Sequence, residues 1–236
     1  MVMGLKDMFA ARKALMAHGK GDTESAYQQY TALYDEGKLT DAKYLLPYSI
    51  LLLRRNEFEK AREVLKKAEK SPGGLQPDQR TTLLTNYAVC SWKLGKTDYA
   101  LELLQEVHRK NPCGNSYATL GYLLVEAGDF DKALEFNRQA IDYDDEDPIA
   151  LDNMGQTYYR LGGEDGKKEA LKWFKKAVKF KPEAVDTNYF LALYDVEAGD
   201  YSAAREKLEI CLNGRVSPLN YATHERVNEL LATLPE

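Results

Sequence analysis

Six alanines recur at nearly even intervals along the chain: Ala26, Ala61, Ala100, Ala133, Ala170 and Ala204, spaced 35, 39, 33, 37 and 34 residues apart. Self-similarity with a period in this range is the mark of an array of short structural repeats. A length of 236 residues would otherwise suit one or two ordinary domains, so the period decides between them. Each alanine has two small or apolar companions. Twelve residues before it stand Ala14, Ser49, Ala88, Gly121 and Ala192, with Gly155 fifteen before in the fifth unit; seven after it stand Leu33, Ala68, Val107, Ala140, Ala177 and Cys211. Seven residues make about two helical turns, so the alanine and its later companion share one helix face.

Between the earlier companion and the alanine lies a turn in every unit: GKGD (19–22), RRNEF (54–58), LGKTD (94–98), AGDF (127–130), GGEDG (162–166) and AGDY (198–201). Glycine or asparagine there supplies a left-handed residue that ends one helix, and aspartate caps the next. The unit is therefore helix A, turn, helix B. Its small residues mark where the two axes cross, since bulk at that point would push them apart. Six such hairpins fall at about 7–41, 42–75, 81–113, 114–147, 148–184 and 185–218 of a single domain spanning 1–236, followed by a capping helix at about 219–234. Pro72, Pro112, Pro148, Pro182 and Pro218 fall at junctions, while Pro47 falls inside a helix A, which should start late or kink.

Composition excludes several classes. At 44% hydrophobic and 29% charged residues the chain has material for a packed core. A net charge of -5 argues against non-specific nucleic-acid binding, and no apolar run reaches the roughly 18 residues of a membrane span. Cys90, Cys113 and Cys211 follow no paired or ligand spacing, and no secretory signal opens the chain, which points to a cytoplasmic setting.

Four features invite chemistry and carry little. LGKT (94–97) lacks the glycine a phosphate loop needs at position 90, which is cysteine, and it joins two helices. The acidic run 142–148 lacks the alternating spacing and central glycine of a calcium loop. His18, His108 and His224 belong to separate units and have no partner at catalytic or metal-ligand spacing. Lys168, Lys172, Lys175, Lys176 and Lys179 form a basic stripe on one helix B; it could meet an acidic surface, or simply keep an outer face in solution. The expectation is no catalytic constellation, no metal and no cofactor.

The repeated residues closely resemble the tetratricopeptide-repeat family. The fourth unit carries Tyr117, Leu120, Gly121, Gly128, Asp129, Phe130, Ala133 and Ala140; the fifth carries Leu151, Met154, Gly155, Tyr158, Ala170, Phe174, Ala177 and Pro182; the sixth carries Leu191, Ala192, Gly199, Asp200, Tyr201 and Ala204. Lys13, Asn188 and Asp195 depart from apolar positions of that pattern. The resemblance implies an all-α, right-handed α-solenoid whose A helices line a concave groove that binds a peptide or protein segment. Counting along the A helices places Asn86, Val89, Trp92, Lys93, Thr119, Tyr122, Glu126, Asp152, Asn153, Gln156, Tyr159, Arg160, Tyr189, Phe190 and Leu193 there. Asn86 and Asn153 hold the same place in their helices, where family members often grip a ligand backbone. A paired basic clamp for a C-terminal carboxylate is missing, because Lys93 and Arg160 are separated by Glu126, so an internal or mixed-charge segment is expected. The aromatic residues in this set would either bury a ligand's side chains or pack on one another. The resemblance implies a non-catalytic interaction scaffold; the alternative is a self-assembly module that forms homo-oligomers through the groove or the array ends.

Overall fold

The computed structural model describes residues 3–235. Among the described residues there are thirteen helices and no strand, so the fold class is an all-α solenoid of helical hairpins. Contacts divide the chain into two compact units, Met1–Asn111 and Pro112–Glu236. The first holds α1 (Leu5–Gly19), α2 (Thr23–Asp35), α3 (Ala42–Arg54), α4 (Phe58–Glu69), α5 (Pro77–Lys93) and α6 (Thr97–Lys110). The second holds α7 (Gly114–Ala127), α8 (Phe130–Tyr143), α9 (Pro148–Leu161), α10 (Gly163–Phe180), α11 (Val185–Ala198), α12 (Tyr201–Asn213) and α13 (His224–Ala232).

The turns form for local reasons. Gly128 and Gly199 end α7 and α11 in the left-handed conformation at φ 78, where an L side chain is strained. Asn56 takes the same role as a non-glycine, at φ 60. The next residue after each of those two glycines is an aspartate that caps helix B. Asp129 accepts from the Lys132 N–H at 3.4 Å and Asp200 from the Ala203 N–H at 3.0 Å. Pro47 lies within α3, and the helix does not start late: it begins at Ala42, capped by Asp41, which accepts from the Lys43 N–H at 2.8 Å.

Small residues sit where helices cross. Ala14, Ala26, Ala61, Ala88, Ala100, Ala133, Ala192 and Ala204 are fully buried. A Cβ on Gly121 would stand 2.2 Å from Asn137 Oδ1 of α8, and one on Gly155 would stand 2.6 Å from the Phe174 ring of α10. Both distances lie inside van der Waals contact, so these glycines set the helix separation. In the second unit each A helix packs on its own B helix and on the A helix before it: α7 touches α9, and α9 touches α11. The sequence expectation of a cap over 219–234 is corrected in extent, since α13 begins at His224. Residues 214–223 form a non-helical strap between α12 and α13. Pro218 and the Ser217–Asn220 turn interrupt helical bonding, and Thr223 caps α13 by accepting from the Arg226 N–H.

Candidate functional site

The residues assigned to the helix A face fall in both units. Asn86, Val89, Trp92 and Lys93 lie on α5 of the first. Val89 is buried, Asn86 and Trp92 are half-buried, and Lys93 is exposed with its ammonium 4.1 Å from the Trp92 ring centroid. Asn86 Nδ2 donates to Ser49 Oγ of α3 at 3.5 Å. The others belong to the second unit, on α7, α9 and α11. There Thr119, Tyr122, Asp152, Asn153, Gln156, Tyr189 and Phe190 are buried, whereas Glu126, Tyr159, Arg160 and Leu193 are half-buried. Asn153 Nδ2 donates to the Ala118 carbonyl at 3.0 Å, so this amide ties α9 to α7 rather than facing outward.

Burial here assembles a polar network. The Thr187 hydroxyl donates to Asp152 Oδ1 at 2.6 Å, and Gln156 Nε2 donates to Asp152 Oδ2 at 2.7 Å and to Asp186 Oδ2 at 3.4 Å. Asp186 also accepts two backbone N–H groups of the strap, from Tyr221 to Oδ2 and from Ala222 to Oδ1, each at 2.9 Å. Burial, followed by the neighbouring Asp186 charge, pushes the Asp152 carboxyl above the ordinary carboxylate range. Burial raises Asp186 too, opposed by the two strap N–H groups. Arg160 pairs with Glu126 and holds its guanidinium 4.6 Å from the Tyr221 ring centroid.

An aromatic column stands beside this network. Phe174 and Phe190 stack at 4.9 Å with an interplanar angle of 6°, and Tyr221 continues the stack 5.2 Å beyond Phe190. Tyr159 meets Phe190 edge-on at 5.1 Å, and Tyr189 lies 5.9 Å from Tyr221. Of the two fates open to the aromatics in the sequence, Tyr159, Tyr189 and Phe190 thus pack on other rings, and Tyr159 stays half-buried. Asp186, Tyr221 and Arg226 went unread as site residues. Their signal was thin: an acid near the start of a helix A, and an aromatic in what reads as a cap.

The thiols of Cys90 and Cys211 are buried and pushed up to about 12, far from the reactive thiolate range. Among the described residues, no group of three or more His, Cys, Asp and Glu side chains is placed to hold a metal, and no helix is long and apolar enough to cross a membrane.

Residues 91–150 and 118–185 match the tetratricopeptide-repeat family. These residues carry tetratricopeptide repeats. Solved structures agree at the level of the fold. A human IFIT1 dimer with PPP-AAAA matches at TM-score 0.63 and 18% identity, over 87% of this chain and 49% of that one. MamA from AMB-1 matches at TM-score 0.54 and 21% identity, over 75% of this chain and 99% of that one, and another MamA crystal structure at 0.53 and 21%, over 77% and 94%. A sequence comparison with curated proteins returns no match. The repeat fold is that of a protein-interaction scaffold.

Proposed function

We propose that this protein is a non-catalytic scaffold that holds a peptide or protein segment against its A helices. The observation that carries this reading is the half-buried rim on the second unit. There Tyr159, Arg160, Leu193 and Tyr194 keep solvent-facing surface on a base fixed by the Asp152–Gln156–Asp186 network. Rings and a guanidinium held in place lose little entropy on binding, and residues of these types dominate binding energy at protein interfaces. The α5 face of the first unit adds Trp92 and Lys93 to the same chemical type.

Affinity capture by the intact chain, followed by peptide mapping of what is retained, tests the reading against two variants. Tyr159→Ala with Leu193→Ala should weaken capture by at least about 1 kcal/mol. Charge reversal at Lys172, Lys175 and Lys179 on the outer face of α10 should leave it unchanged. Loss with the lysine variant alone would move the interface to the basic stripe.

A second reading, self-assembly, has its own observation. Helix α1 leaves Leu5 72% and Phe9 63% exposed, with Met8 and Met16 beside them, an apolar surface at one end of the first unit. Light scattering across a dilution series separates the two readings, since only self-assembly makes mass depend on the chain's own concentration.

A further inference from the structure

The strap after α12 binds the second unit as a ligand would. Asn220 N–H closes a turn on the Ser217 carbonyl at 3.0 Å, and Asn220 Oδ1 accepts from the Ser217 N–H at 2.8 Å, so the segment carries its own bend. Beyond the bend, the N–H groups of Tyr221 and Ala222 both end on the Asp186 carboxylate of α11. The Tyr221 ring lies on Phe190 and faces Arg160 at 4.6 Å and Arg226 at 4.0 Å, and Arg226 Nη1 donates to the Tyr221 carbonyl at 2.8 Å. This short stretch therefore meets a carboxylate with its backbone, and an aromatic floor and two guanidiniums with its ring. These contacts come from α9 and α11, the helices that carry the proposed binding rim, and from α13.

We propose that residues 217–222 are an internal ligand on the α9–α11 face, displaced by a partner segment of matching chemistry: an extended peptide that offers two successive backbone N–H groups to Asp186 and an aromatic side chain to the Phe190–Arg160 slot. The proposal rests on the scaffold reading above and specifies its partner and its control. Two points favour a removable strap over a fixed part of the array. It is held through side chains of α9, α11 and α13 and through turn bonds of its own, with no helical ladder joining it to a neighbour. Tyr221 itself remains half-buried, so part of its side chain stays accessible to an incoming competitor. A partner must then outcompete a tethered segment, which lowers its apparent affinity by the fraction of time the strap is closed.

The test uses the full chain and a fluorescent peptide of its own sequence, RVSPLNYAT (residues 215–223). Tyr221→Ala removes the internal ring and leaves the slot intact. Fluorescence anisotropy should show the peptide binding this variant about tenfold or more tighter than the parent. The control peptide RVSPLNAAT, without the ring, should bind neither. A folded Tyr221→Ala chain that ignores the peptide overturns the proposal. Hydrogen exchange on the unaltered protein gives an independent arm: the amides of Tyr221 and Ala222 should exchange faster than those of central α11, by an opening that leaves α11 and α12 folded. Exchange only together with α11 also overturns it. If groove variants abolish partner capture while the strap arms fail, the scaffold reading stands without the strap. If groove variants leave capture unchanged in both the parent and Tyr221→Ala, the scaffold reading falls.

Discussion

Gly155 shows what one absent methyl group controls. A Cβ there would lie 2.6 and 2.7 Å from two carbons of the Phe174 ring, which is fully buried and stacked on Phe190. The ring cannot yield without disturbing the column that ends at Tyr221. Gly155→Ala should therefore destabilise the second unit by about 1–3 kcal/mol, the usual cost of overpacking, read as a lower midpoint in urea. Asp152 offers a test of sign. Its carboxyl titrates higher in the folded chain than in the unfolded one, so the folded state holds the proton longer, and stability from this group falls as pH rises out of the acid range. Asp152→Asn removes that titration. When pH is lowered from about 8 to about 5, the melting temperature of the parent should rise relative to that of the variant; parallel curves contradict the assignment. Asn153 marks where reading the sequence stopped. Its position on helix A was legible, but its amide is committed to the Ala118 carbonyl, a partner 35 residues away that only the stacked helices bring near.

Helices and turns were legible because their causes are local. A glycine in the left-handed conformation followed by a capping aspartate needs only four or five residues to act, and the same device opens α8 and α12. Asp200→Ala should cost about 1 kcal/mol by leaving an N–H of the first turn of α12 without its partner, measured as a shift in urea midpoint at unchanged slope. Pro47 shows the limit of a local rule. Proline disfavours a helix interior, yet α3 runs from Ala42 to Arg54 around it, with Leu45, Tyr48, Leu51 and Leu52 buried and able to offset the lost bond. The strap was not legible. Its Asp186 contacts use backbone N–H groups, which every residue but proline possesses, so no side-chain pattern announces them.

At the scale of the chain, the period near 34 residues determines the class of fold, and the contacts then organise it into two units. In a repeat array stability is close to a sum of hairpins and nearest-neighbour interfaces, so damage stays near its origin. The A helix face of the second unit combines a hydrogen-bonded polar base with half-buried rings, and the scaffold function requires that face to receive an extended segment. Selection from a displayed library of linear peptides on the immobilised full chain asks this directly, with affinities then measured on the parent, the Tyr159→Ala/Leu193→Ala variant and the Lys172/Lys175/Lys179 charge reversal. Binding at that face selects peptides that share an aromatic residue, weakened by the first variant and indifferent to the second. Peptides that bind all three proteins equally, or lose affinity only for the lysine variant, would contradict it.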